Sequence, residues 1–398
     1  MERNERVVIA GAGPVGLTAA LLLQRAGIPF VVLEAAESLS EDLRASTFHP
    51  PTLDLLDSLG IAAPLIVQGL IGTTWQIRMH PSGERALFDL SAIADATAHP
   101  YRLQCEQSKL CRLLFDRVQG EGGDIRLGWA VDDVTQDADA VRVTARNADG
   151  ETEEFSGAFL IGADGARSAV RQALGFAFEG KTYPETTILA TTRFPFEAHL
   201  PGLSNVNYVW KQTGTFSLLR LPDLWRCSLY PDGEETIEDA LTPASIARKL
   251  QEIAPSDGGH AIDEVRPYRI HMRIVDDYRA GRVLLAGDAA HVNSPSGGMG
   301  MNGGIHDAFE LVATLKEVLD GAPIGHLDRY TRRRRPIAES EILVQADRNR
   351  ARMQERDPAR RREMLGALQR MAEDPVAARE HLLRTSMIAG LQRAAAIA

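Results

Sequence analysis

The 398-residue chain holds only three cysteines, Cys105, Cys111 and Cys227. None forms a C-x-x-C pair and no metal-ligand set accompanies them, which argues against a disulfide framework and a metal centre and suits a reducing cytoplasm. No stretch reaches the ~18 consecutive apolar residues that a membrane helix needs, because Gln24, Arg25 and Glu34 interrupt the longest runs. The N-terminus passes from Met1 and five polar residues straight into Val7-Val8-Ile9-Ala10, without the basic start, apolar stretch and cleavage site of a signal peptide. Lysine is scarce: nearly all of the 44 basic residues are arginine, spread along a chain of net charge -10. That balance argues against a nucleic-acid-binding stripe. No Ser/His/Asp spacing of a nucleophilic triad is evident.

What the chain does have is an ordinary globular composition, 44% hydrophobic and 25% charged, at a length that suits two or three structural units. Val7 to Ala10, Leu17 to Ala26 and Phe30 to Leu33 read as a β-α-β unit. Gly27 stops its helix and Pro29 prevents continuation. From Thr187 to Tyr230 polar and apolar residues alternate, as in antiparallel strands with one covered face. Arg282 to Ala286 then returns to the buried-strand pattern, and the sequence from Ile305 onward is mostly helical. The expected architecture is one discontinuous α/β domain (1–75, 98–183 and 268–345), a β-rich insertion (76–97 and 184–267) and C-terminal helices (346–398).

Gly11-Ala-Gly-Pro14-Val-Gly16 lies between the first strand and the first helix, and Glu34 ends the second strand. This is the full context of a dinucleotide fingerprint. Gly11 serves the tight turn, Gly13 the approach of a pyrophosphate and Gly16 the packing of helix on strand, while the helix N-terminus offers free N–H donors. Glu34 can accept hydrogen bonds from ribose hydroxyls. A second match, Gly298 to Gly303, has no strand immediately before it and no acid at the right distance after it. The chain therefore lacks a second dinucleotide domain. Two further buried strands end in Gly/Asp turns, Gly162-Ala-Asp164-Gly and Gly287-Asp288-Ala-Ala-His291. Pro295-Ser-Gly-Gly298-Met-Gly300-Met301-Asn302 follows, a loop too glycine-rich for a strand.

These three motifs, in this order, resemble those of the single-component FAD-dependent aromatic hydroxylases, the 4-hydroxybenzoate and phenol hydroxylase group of flavoprotein monooxygenases. The resemblance spans residues 7 to 318. It implies a Rossmann-like FAD-binding domain, an inserted antiparallel β-sheet substrate domain and a helical C-terminal tail. It also implies a cycle in which NADH or NADPH reduces FAD and O2 adds to give a flavin C4a-hydroperoxide that oxygenates a phenolic or heteroaromatic ring. By matching position, Gly11, Gly13, Pro14, Gly16 and Glu34 would hold the ADP part. Arg44 would lie near the pyrophosphate, Gln104 and Asp288 on the ribityl chain, and Asp164 at the second motif. Pro295, Gly298, Gly300, Met301 and Asn302 would line the flavin edge. His306 and Glu310 stand where relatives commonly carry Gln and Asn, and Ala313-Thr314 replaces the usual Trp-Lys pair.

Substrate residues are expected on the inserted sheet, from Tyr208, Trp210, Arg220, Trp225 and Arg226, although such alternation also describes plain core and solvent faces. His49 and His271 are candidates to assist phenol deprotonation, each with a structural role as the bland alternative, and His291 reads as structural. Tyr208, Arg220 and His49 are the expected catalytic residues. An epoxidase, a decarboxylating hydroxylase and a non-catalytic FAD-binding partner protein are the competing functions. Halogenation is disfavoured by the missing Trp-x-Trp-x-Ile motif. The helical tail suggests a homodimer.

Overall fold

A computed structural model describes residues 6–41, 45–212, 214–233 and 235–398. Strand β1 (Val7–Ala10) is buried along its whole length, as befits a strand covered on both faces. It pairs in parallel with β2 (Phe30–Glu34) and β12 (Phe159–Gly162), and the sheet continues to β8 (Asp124–Leu127), β19 (Val283–Leu285) and the short antiparallel edge β18 (Arg279–Ala280). The order β18-β19-β12-β1-β2-β8 sets the ends of β1, β12 and β19 side by side. In open α/β sheets that carboxyl edge is where ligands bind. The helix Pro14–Arg25 (α1) connects β1 to β2 and packs on the helix Gly300–Leu319.

A small sheet sits beside this edge: β7 (Arg102–Gln104) lies between β3 (Thr47–Phe48) and β4 (Leu70–Gly72). An antiparallel meander of β9 (Ala130–Gln136), β10 (Val141–Arg146) and β11 (Thr152–Gly157) forms a third sheet.

The largest sheet has eight strands in the order β20-β17-β13-β16-β15-β14-β5-β6. These are β5 (Thr74–Met79), β6 (Arg85–Asp89), β13 (Glu179–Thr192), β14 (Val206–Lys211), β15 (Gly214–Arg220), β16 (Trp225–Leu229), β17 (Ile262–Ile274) and β20 (His291–Val292). One face buries Phe216, Leu218, Trp225 and Cys227 against the helix Pro243–Ile253. The other carries Trp75, Ile77, Val206 and Trp210, and is covered at that end by helices Pro358–Glu373 and Pro375–Thr385 through Leu365, Leu368 and Leu382. The C-terminal helices are thus part of the core. Strand β13 crosses the expected 183/184 boundary and β17 the 267/268 boundary, so the two regions share continuous strands.

Candidate active site

Gly11 has φ +101°, and a Cβ there would meet the Ala163 carbonyl oxygen at 2.5 Å; at Gly16 a Cβ would lie 2.0 Å from the Gly11 oxygen. Both glycines are demanded by packing. A Cβ on Gly13 would meet nothing within 4 Å, so this part of the loop faces open space. Helix α1 starts there with Pro14 in its first turn and no side-chain cap, leaving its N–H groups aimed outward. The Glu34 carboxylate accepts from the Ala12 N–H at 2.6 Å and the Ala36 N–H at 3.0 Å. It ties the loop to the end of β2.

Beyond β12, Asp164 accepts from the Val170 N–H at 3.1 Å through Oδ2, while its Oδ1 is buried without a partner. Burial pushes its pKa up, against the hydrogen bonds of Ser168 and the following helix turn. Beyond β19, Gly287 has φ +60°, and a Cβ there would stand 2.8 Å from Val15. The next residue, Asp288, is exposed. Under this turn lies a buried ionic cluster. Asp307 accepts from the Gly287 N–H at 3.2 Å, from Arg334 Nε at 2.7 Å and from His291 Nε2 at 2.8 Å. Burial opposes the Asp307 charge, but Arg334 and His291 prevail and hold its pKa at about 2. The sequence reading missed Asp307 and Arg334; an Asp on the apolar side of a helix was the available signal. His291 is structural, as read.

The glycine-rich loop is clamped to the small sheet. Asn302 accepts from the His49 N–H at 2.9 Å and donates to the carbonyls of Thr47 at 2.8 Å and Gly298 at 2.7 Å. Its amide is committed to the protein, so it positions the loop. His49 stands at the N-cap position of helix Pro50–Ser58 (α2) without a capping side-chain bond, and its Nε2 donates instead to the Gly297 carbonyl at 2.8 Å. Burial, with Arg102 nearby, drives its pKa down to about 3. With its ring fully buried and Nε2 committed to the Gly297 carbonyl, His49 fastens the glycine-rich loop to the start of α2. Gln104 accepts from Thr47 Oγ1 at 3.0 Å, and its Nε2 is buried with no partner. Pro295 is exposed, Met301 packs against the core, and Gly298 adopts φ +66°. His306 bonds Thr52 of α2 at 2.8 Å, and Glu310 pairs with Arg333 at 3.1 Å. Arg44 lies outside the described residues.

The open cradle at Gly13 and the orphaned polar atoms of Asp164 and Gln104 suit an elongated ligand with an anionic middle and hydroxylated flanks, as a dinucleotide is. Residues 4–344 match the FAD binding domain family. The chain belongs to that family. It is 34% identical over 374 residues to a para-nitrophenol 4-monooxygenase of Pseudomonas sp. strain WBC-3, covering 91% of this chain and 90% of that one. It is also 34% identical over 340 residues to 6-hydroxy-3-succinoylpyridine 3-monooxygenase of Pseudomonas putida S16, covering 84% and 85%. The crystal structure of p-nitrophenol 4-monooxygenase from Pseudomonas putida DLL-E4 superposes with a TM-score of 0.90 at 30% identity, over 98% of this chain and 99% of that one. Aklavinone-11 hydroxylase, in a ternary complex with FAD and aklavinone, matches at a TM-score of 0.79 and 28% identity, over 89% and 70%. This protein is an FAD-dependent aromatic monooxygenase.

In a flavoprotein hydroxylase the ring to be oxygenated must lie beside the flavin, and the large sheet offers it one face. Side chains alternate along strands, and register pairs Tyr208 with Ser217, Ser217 with Ser228, and Arg226 with Thr191. These residues share the face turned toward the flavin-binding half. Arg226 donates to Ser46 Oγ at 2.5 Å, and Tyr208 acts on the buried Arg102 guanidinium, favouring its charge against burial. Arg220 and Trp225 pair with each other on the opposite face. There Arg220 lies 5.3 Å from the Trp225 ring and 3.7 Å from Glu197, and Trp225 Nε1 donates to Glu197 at 3.0 Å. Arg220 is therefore corrected to a structural residue. Trp210 is fully buried and donates to the Arg352 carbonyl at 3.0 Å; it anchors the helix Val344–Gln354. His271 is exposed on β17, bonded to Thr182. All three cysteines are buried, and burial raises each thiol pKa.

Proposed function

We propose that the enzyme hydroxylates a small, single-ring phenol or hydroxylated heteroaromatic compound, using O2 and a reduced nicotinamide. The observation that carries this reading is β7. Arg102 and Gln104 alternate with the core residue Leu103, so both project from one face of the strand, about 7 Å apart. Gln104 is bonded to Thr47, whose carbonyl Asn302 ties to the glycine-rich loop, while Arg102 interacts electrostatically with Tyr208 on the large sheet. Size supports the small substrate. The p-nitrophenol enzyme matches end to end, whereas the aklavinone enzyme is longer.

When bound, FAD supplies the redox chemistry and the activation of oxygen. The chain supplies the rest. Gly13 and the α1 N-terminus hold the pyrophosphate, and Glu34 holds the adenosine ribose next to Ala12. Asp288 and Gln104 take the ribityl hydroxyls, with Asp164 at the second motif. The loop Gly297 to Gly300, fixed by Asn302 and His49, borders the ring system. Tyr208 meets the substrate, and Trp75, Phe88 and the C-terminal helices keep water from that end of the site. Three buried, unpaired thiols suit a cytoplasmic location.

Anaerobic reduction of the purified flavoprotein by NADH and by NADPH, with and without a panel of phenols and hydroxypyridines, tests this reading. At least one ligand should accelerate reduction by tenfold or more. Equal rates with every ligand would overturn it.

A further inference from the structure

Around Tyr208 lies a group of buried polar atoms that the chain itself leaves unsatisfied. Arg102 is 4% exposed, its guanidinium stands 5.1 Å from the Trp75 ring centroid, and its Nε has no partner. Trp75 Nε1 and His381 Nε2 are buried without partners as well. The rings form one packed cluster: Trp75 stacks on Phe88 at 4.5 Å, and His381 lies 4.7 Å from Phe88 and 5.9 Å from Trp75. His49 Nδ1 is a fourth orphan, on a ring at the start of α2 that feels the Arg102 charge.

Charge points the same way. The groups that act on Arg102 and on Arg352 include the Tyr208 hydroxyl and no carboxylate among the described residues. His381 feels Arg352, Arg384 and Arg102, which with its burial lower its pKa to about 4. An isolated buried cation is strongly disfavoured, and buried charges are normally paired. The buried Arg334 and Asp307 of this same chain obey that rule. At Arg102 the missing partner is an anion. A guanidinium fork matches a planar two-oxygen group.

We infer that Arg102, with Trp75 Nε1 beside it, is the specificity-determining anchor for a planar two-oxygen substituent on the substrate ring, either a carboxylate or the charge-bearing nitro group of a nitrophenolate. The inference rests on the hydroxylase reading and deepens it. Arg102 shares its strand face with Gln104, so a ring anchored there extends toward the flavin, with the substituted end farthest from it.

The test is titration of FAD-loaded enzyme with 4-methylphenol, 4-hydroxybenzoate and 4-nitrophenol at pH 8, read from the flavin absorbance change. The wild type should bind at least one of the two-oxygen ligands tenfold or more tighter than 4-methylphenol, and whichever it prefers identifies the group. In Arg102→Met that ratio should fall to within about twofold of unity, and Arg102→Lys should restore part of it for the carboxylate only. Equal affinities in the wild type, or a preference that survives in Arg102→Met, would overturn the inference. The wild-type ratio decides even if Arg102→Met does not fold. Nicotinamide-dependent oxygenation of 4-methylphenol by the wild type reports on the hydroxylase reading separately.

Discussion

Gly13 and Gly16 lie one helical turn apart and face opposite surroundings: a Cβ on Gly16 would lie 2.0 Å from the Gly11 oxygen, whereas one on Gly13 would enter open space. The two glycines therefore serve different ends, one the packing of α1 on β1 and the other the approach of a ligand.

Gly13→Ala is expected to leave the unfolding temperature of the apoprotein within experimental error and to weaken FAD binding at least tenfold. Gly16→Ala should instead yield insoluble or strongly destabilised protein. Calorimetry of the apoprotein and flavin titration separate the two. Equal FAD affinity in Gly13→Ala and wild type would remove the pyrophosphate from this loop.

His49 and His381 give the protein an acid-side stability limit. Their native pKa values, about 3 and about 4, lie below the ordinary 6.5, because burial and neighbouring arginines disfavour the charged rings. Between the native and ordinary values the unfolded chain binds protons that the native state refuses, so stability is lost as pH falls below about 6.5. Replacing both with Gln should flatten the slope of unfolding free energy against pH between 6.5 and 4. His49→Ala alone should cost about 1 to 3 kcal/mol, because the buried Gly297 carbonyl loses its donor. It should not move the pH profile of kcat/KM between 6 and 9.

Asp307 neutralises Arg334 in the core and fixes the turn that precedes Asp288. Asp307→Asn leaves a buried guanidinium without its counter-charge, and the expected loss is about 3 to 5 kcal/mol of folding stability, measured by denaturant unfolding. A loss below 1 kcal/mol would show that the cluster is not what holds this turn.

The flavin-binding half was legible because its signals are local. Glycines, a β-branched strand and a terminal acid fall within one β-α-β unit, and Gly287-Asp288 follows its strand directly. What sequence did not reveal depends on register or on distance along the chain. Arg220 and Tyr208 both sit in alternating strands, and only the pairing of Arg220 with Trp225 places it on the outer face. Polar residues such as Thr215, Ser217 and Ser228 are turned inward there, so the usual rule of polar-outside misreads the strand. Arg334 lies in a run of four arginines that reads as a solvated patch, yet it is 1% exposed. Arg102 carries no motif at all. Its meaning comes from Tyr208 and Trp75 on another sheet and His381 near the C-terminus.

The central claim is that this chain transfers one atom of molecular oxygen to an aromatic ring held beside the flavin site. Turnover under isotopically labelled O2, with reduced nicotinamide and the phenol that most accelerates flavin reduction, tests it most directly. The account predicts labelled oxygen in a new ring hydroxyl, with one product formed for each nicotinamide oxidised when coupling is complete. Label found only in hydrogen peroxide or water, with the phenol recovered unchanged, would contradict it.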